Sequence, residues 1–276
     1  MSSKIFFSLN FSQSKLLLDI YTGASAAYSV RKLRSAYSGF CLRVQRSSDN
    51  TTLDVGFSGN NLDTSAITTF VGGGNGNVTK WYDQSGNGND LITTGSTNYI
   101  VQSGSLNIQG TKPCIKLSTS YFSLTTPVTA IGDFSAAMVQ KRRVTGVLGI
   151  GFGSTTIGPI MNQYLDNNFY FQFGSGILSP ANVTGAYVFY TANTANYDLF
   201  DVHHEAVTDG YINENSISQT TTGGFFTAAS TNITTLGSWN TTNADGVVQE
   251  AILWNSSKRS VKLGIQTNIN SYYAIY

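Results

Sequence analysis

Charge is what this 276-residue chain has least of. Asp, Glu, Lys and Arg make up 11% of it, against about 25% in an ordinary soluble domain. The 16 cationic and 15 anionic side chains leave a net charge of +1. That balance excludes an electrostatic footprint for nucleic acid or for an anionic membrane surface. Cysteine is nearly absent. Cys41 and Cys114 are too few for a disulfide framework. They read as buried free thiols acting as small hydrophobes, with pairing left open. Histidine is limited to the neighbours His203 and His204. Adjacent residues of a strand face opposite ways. The pair is therefore unsuited to one metal or one triad and reads as half-exposed. No apolar run is long enough to cross a membrane, so no membrane insertion is expected. Residues 1–10, with one lysine and a broken apolar patch, make a poor export signal.

Hydrophobic residues reach 41% and aromatics 12%, which excludes disorder. The polar remainder is mostly Ser, Thr, Asn and Gly. Such a composition suits short strands joined by many turns, as in secreted adhesins and virion surface proteins. Without an export signal, it fits a virion component assembled in a host cytoplasm.

Along the chain, Leu16-Leu17-Leu18 reads as a strand or docking segment ahead of the main domain. Ala26, Val30, Leu33 and Tyr37 have the spacing of one helix face, with Arg31, Lys32 and Arg34 on its solvated side. Phe40, Leu42 and Val44 alternate with polar neighbours, and Leu53, Val55 and Phe57 return as the second arm of a hairpin. Leu62 to Val71 has room for a short helix. The glycine run 72–76 lacks the Lys and Ser/Thr of a phosphate loop. From Ile115 to Trp254 the signals are all β, with Asp209-Gly210 as a tight-turn dipeptide. Val261, Ile265, Ile269, Tyr272 and Tyr276 form an apolar stripe on a helix over 257–276.

The least generic run is Lys80-Trp81-Tyr82-Asp83-Gln84-Ser85-Gly86-Asn87-Gly88-Asn89-Asp90. Gly86 and Gly88 allow positive φ, and Asp83, Asn87 and Asn89 can bond back to nearby backbone N–H groups. Trp81, Asp83, Gln84, Gly86, Asn87 and Asn89 therefore read as a self-bonded structural loop. Asp83-x-Ser85-x-Asn87-Gly88 also has the opening spacing of a calcium loop, but its twelfth position is Thr94 rather than Glu. No cofactor is expected, and calcium is the one ion this spacing would suit.

The loop is similar to the WYDQSGxGN segment of the catalytic β-sandwich domain of the fungal-type α-L-arabinofuranosidase B family. The stretches Ala27-Tyr28-Ser29-Val30-Arg31, Arg43-Val44-Gln45-Arg46 and Asp54-Val55-Gly56 also resemble that family's opening region. Tyr211-Ile212-Asn213-Glu214-Asn215 resembles a strand of the related laminin-G-like modules, including those of phage virion proteins. The resemblance implies an all-β, two-sheet jelly-roll sandwich, here with one short N-terminal helix and a C-terminal helix. Residues 20–276 would be one lectin-like domain. Residues 1–19 would dock another chain through Ile5, Phe6, Phe7, Leu9 and Phe11, which lie upstream of the family region.

The resemblance also implies retaining hydrolysis, which needs two carboxylates about 5 Å apart. The segments that match the family's carboxylate motifs, Gly149–Ser154 and Leu236–Thr241, contain neither Asp nor Glu. Asp245 and Asp166 are the nearest substitutes. The expectation is therefore a non-enzyme. Aromatic platforms beside amides and carboxylates suit sugar, and two clusters qualify: Trp239, Asn240, Asn243 and Asp245, and Tyr164, Asp166 and Asn168. The expected function is a homo-oligomeric bacteriophage virion module that partners other virion proteins and host surface glycans. A stand-alone carbohydrate-binding module and an arabinofuranosidase-type hydrolase are the alternatives.

Overall fold

The computed structural model describes residues 15–95, 97–130, 132–143, 149–154, 160–163, 168–173, 186–191, 197–205, 209–219, 222–223, 231–239 and 242–276. The docking residues up to Phe11, and Asn240, Tyr164 and Asp166, lie outside these. The fold is mostly β with three short α-helices among the described residues, consistent with a β-sandwich.

One strand organises it. Thr242–Trp254 is antiparallel to four others, the short Ser238–Trp239 among them, and lies between partners along most of its length. Its first half runs between Ile115–Ser120 and Gln140–Arg142 (Ser118 opposite Asp245, Arg142 opposite Gly246). Its second half runs between Ala24–Ser29 and Ser135–Val139 (Ser29 and Val139 both opposite Glu250). A strand covered on both faces needs a near-continuous apolar run, and Val247 to Trp254 supplies one. The polar Gln249 and Glu250 within that run are also buried.

The long strand Ile115–Ala130 changes partners midway. Its first half pairs with Thr242–Trp254 and Asn98–Gln102, its second with Leu91–Thr94 and Thr231–Leu236. Beyond Phe134–Arg142 come Asp198–Glu205 and then Asp209–Glu214. The expected hairpin is present: Leu42–Arg46 pairs with Thr52–Val55, and Gly76–Trp81 lies on its other side. In the core, Trp81 stacks between Tyr28 at 5.9 Å and Phe122 at 6.0 Å.

Several expectations are corrected. No helix occupies Ala26–Tyr37. Ala24–Ser29 is a strand, and Ala26, Ala27, Tyr28, Ser29, Val30 and Leu33 are all buried. A strand buried on both faces has no alternation, so a chance helical spacing misleads there. Arg31 is not on a solvated face but inside, against Glu250. Leu16–Leu18 is not a strand. Leu17–Ile20 forms one helical turn, with Leu17 and Leu18 buried in the chain's own core and Leu18 N–H donating to Leu33 O at 2.8 Å. Asp209-Gly210 is not a turn but opens the strand Asp209–Glu214, with Asp209 opposite Glu205 and Gly210 opposite His204.

The short helix in the 62–71 region is Thr64–Val71, capped by Asp63 Oδ1 accepting from Ala66 N–H at 3.0 Å. The C-terminal helix is Lys262–Tyr273, shorter than 257–276, after a 3-10 turn at Arg259–Val261. Its buried face is Ile265, Gln266, Ile269 and Tyr273, while Val261 and Tyr276 of the expected stripe are exposed.

Candidate functional site

The Trp81 strand ends in a clamp loop, residues 82–90, that ties the first strand to the sheet. Asp83 Oδ1 accepts from Ala27 N–H at 2.8 Å and Ser85 N–H at 2.9 Å, and Oδ2 from Ser85 Oγ at 2.7 Å and Asn89 N–H at 3.0 Å. All four acceptances come from protein donors. Gln84 is wholly buried and acts as a two-ended bracket. Its Oε1 accepts from Leu33 N–H at 2.8 Å, and its Nε2 donates to Ser29 O at 2.9 Å and Arg31 O at 3.0 Å. Asn87 and Asn89 donate to Ser25 O at 3.1 and 2.8 Å. Gly86 and Gly88 take φ of 96° and 76°, the left-handed region that lets the loop close. Arg34 Nη1 donates to Ser85 O at 2.6 Å beneath Gly86.

The sugar clusters come together only in part. Ser238–Trp239 pairs with Thr242–Asn243, and Ala244 N–H donates to Gly237 O at 2.8 Å. Asp245 follows directly, nearly buried and ion-paired with Arg143 Nε at 2.6 Å. Asn243 Nδ2 donates to Thr119 O at 3.3 Å, and its Oδ1 accepts from Ser238 Oγ at 3.1 Å. Trp239, Asn243 and Asp245 thus share one hairpin end. Asn168 begins a separate strand, Asn168–Phe173.

Two buried constellations escaped the sequence reading. His203 and His204 are not half-exposed; both are buried. His203 Nε2 meets Asp201 Oδ2 at 2.7 Å, and its Nδ1 meets Ser135 Oγ at 2.8 Å. Lys258 N–H donates to Ser135 Oγ at 2.8 Å, leaving the hydroxyl proton for the imidazole. Asn213 Nδ2 and Gln266 Nε2 complete the Asp201 carboxylate at 2.8 and 2.6 Å. The order resembles a nucleophilic relay, yet Ser135 has no exposure, so the network is a strut under the C-terminal helix. The i, i+2 spacing of Asp201 and His203 was its one sequence signal.

In the second constellation Glu250 accepts from Arg31 Nε at 2.8 Å, Arg31 Nη2 at 2.9 Å and Ser29 Oγ at 2.7 Å. The Tyr273 hydroxyl lies 3.2 Å from the same carboxylate. Burial and the nearby Glu250 charge push the Tyr273 hydroxyl's pKa well up. Burial also raises the Asp198 carboxyl to about 6, against the opposing hydrogen bond from Asn215 Nδ2 at 2.8 Å. Cys41 and Cys114 are free and buried, and burial pushes the Cys114 thiol up to about 12.

A family model described as "Alpha-L-arabinofuranosidase B, catalytic" matches residues 18–113, the region that holds the clamp loop and its strands. The chain resembles an arabinofuranosidase catalytic domain. Two solved arabinofuranosidases share the fold. A GH54 α-L-arabinofuranosidase soaked with a cyclic sulfate inhibitor is 18% identical, with a TM-score of 0.64 over 93% of this chain and 64% of that one. An arabinofuranosidase complexed with arabinofuranosyl-α-1,2-xylobiose is 19% identical, with a TM-score of 0.60 over the same shares. This chain thus spans slightly under two thirds of their length. A comparison with curated proteins finds no match.

These findings correct the non-enzyme expectation, since both the family model and the solved neighbours are hydrolases of this type. The segments Gly149–Ser154 and Leu236–Thr241 both lie beyond the matched residues 18–113, so their lack of a carboxylate speaks for those positions alone.

Proposed function

We propose that this chain is a glycoside hydrolase domain of arabinofuranosidase type, built on a jelly-roll sandwich. The observation that carries the reading is the catalytic-domain match over residues 18–113. The clamp loop in that region anchors the strand Ala24–Ser29, which pairs with Thr242–Trp254. Asp245, in that same central strand, is the first carboxylate to assign. It stands two residues beyond Asn243, close to the pairing of Ser238–Trp239 with Thr242–Asn243, and is oriented by Arg143. An oriented, ion-paired carboxylate suits the nucleophile or the transition-state stabiliser of a retaining reaction. Asp166, on a stretch outside the described residues, is its proposed counterpart. Asp198 has the raised pKa of a general acid but is sealed from solvent, and it is not assigned the proton transfer.

The test is release of nitrophenol from an aryl α-L-arabinofuranoside. The expected outcome is turnover by the full chain, reduced by about 10²-fold or more in Asp245→Asn and in Asp166→Asn, each still unfolding cooperatively. No turnover by the folded parent chain would overturn the proposal.

A further inference from the structure

A groove away from this hairpin end carries three cations on a chain that has few. It consists of two adjoining hollows of about 490 and 230 Å³ that share Lys15, Leu16, Lys32 and Asn60. The smaller hollow also takes in Arg31, Asn268, Ser271 and Tyr272, and no carboxylate lines it. The larger has one, Asp19, which accepts from Ser35 N–H at 3.0 Å and from Leu16 N–H at 3.3 Å.

The cations are not equivalent. Arg43, Arg46, Arg143, Arg259 and Lys80 are each neutralised by a carboxylate, and Arg31 is neutralised by Glu250. Lys15 and Lys32 form no ion pair among the described residues, and neither do Arg34, Lys112, Lys116, Lys141, Lys258 and Lys262; what sets Lys15 and Lys32 apart is that both line the groove. Its wall is rigid. The Tyr272 ring has the Arg31 guanidinium at 5.1 Å and the Lys112 ammonium at 4.1 Å, and its hydroxyl donates to Asn61 Oδ1 at 2.7 Å. Arg31 Nη1 is held by Asn268 Oδ1 at 2.9 Å.

We infer that this groove binds an acidic saccharide, a sugar chain bearing carboxylates, at a site distinct from the Asp245 hairpin. The lining matches that chemistry group by group. Lys15 and Lys32 supply point charges for carboxylates, Asn60, Asn268 and Ser271 supply partners for hydroxyls, and the edge of a fixed Tyr ring supplies an apolar contact. The preference for a sugar rests on the carbohydrate reading above, whereas the anion preference rests on the two uncompensated lysines.

Calorimetry with trigalacturonic acid and its fully methyl-esterified form tests the inference. The acid is expected to bind, about tenfold more tightly than the ester and more weakly as salt is raised. Lys15→Gln/Lys32→Gln should lose about the same factor with an unchanged melting temperature, since neither side chain is buried. Failure of the acid to bind, equal binding of acid and ester, or undiminished binding by the double variant would overturn it. So would equal affinity for acetate, which would show a bare anion site. Arabinofuranoside hydrolysis is measured on the same samples. Trigalacturonate binding without hydrolysis sinks only the proposed function, and hydrolysis without such binding sinks only this inference.

Discussion

At the scale of single residues, the Arg31–Glu250 pair shows how far a buried charge depends on its partner. Both side chains are out of water, at 8% and 0% exposure. Desolvation can outweigh the attraction of such a pair, but removing one partner strands the other. Arg31→Met should therefore cost about 3–5 kcal/mol in denaturant unfolding. Adding Glu250→Gln should recover a large part, because the stranded charge is gone. A double variant no more stable than Arg31→Met would contradict this account.

Asp198 makes a second residue-scale prediction, and its sign is opposite to that of most carboxylates. Its folded pKa, about 6, lies above its ordinary value of 3.8. The folded state therefore holds the proton more tightly than the unfolded state does. Stability from this group is fully present below pH 3.8 and is lost as pH rises toward 6. Asp54 and Glu205, held low by Arg43 and by Ser257 with Arg259, work in the other direction. Asp198→Asn should flatten the fall in melting temperature between pH 4 and 6, and an unaltered profile would refute the assignment.

At the scale of elements, the C-terminal helix is held by a contact that its own residue preferences oppose. Gly264 sits inside the helix, where alanine is ordinarily better by about 1 kcal/mol. A Cβ at Gly264 would meet the Tyr21 hydroxyl oxygen at 1.9 Å. Gly264→Ala should thus gain less than the helix preference alone gives, because the Tyr21 ring must swing aside, while Gly264→Ala in a Tyr21→Leu background should show the full gain. Equal effects in both backgrounds, read by thermal unfolding, would show that the close approach has no energetic weight. The same comparison explains why the helix was legible but its face was not. Ile265 and Ile269 stood out in the sequence. Gln266 replaced an apolar residue on the buried side because the Asp201 carboxylate requires its amide.

At the scale of the whole molecule, the region matched by the family model cannot stand alone. Ala24–Ser29 pairs with residues 250–254, and Ser29 and Arg31 both bond Glu250. A fragment of residues 18–113 would leave that strand without its neighbour and Arg31 without its counter-charge. It should show a disordered far-UV spectrum and no cooperative unfolding, while the full chain unfolds cooperatively. A folded fragment would mean that the first third carries its own core.

The sequence by itself determined a mostly-β chain, the hairpin at residues 42–55, the local bonds of Asp83 to Ser85 and Asn89 in the Trp81 loop and the resemblance to an arabinofuranosidase catalytic domain. Each depends on neighbours close in sequence: alternation, turn residues, or a motif read within a dozen positions. That Gln84, Asn87 and Asn89 instead reach residues 24–33 was not legible. The tertiary structure alone decided that Ala26 to Leu33 is not helical, because the strand Ala24–Ser29 pairs with residues more than 200 positions away and packs Tyr28 on Trp81. It alone joined Asp201, His203 and Ser135 with Gln266, and Arg31 with Glu250. Such pairings are set by strand register across the sheet, where one residue of slip turns a side chain to the other face.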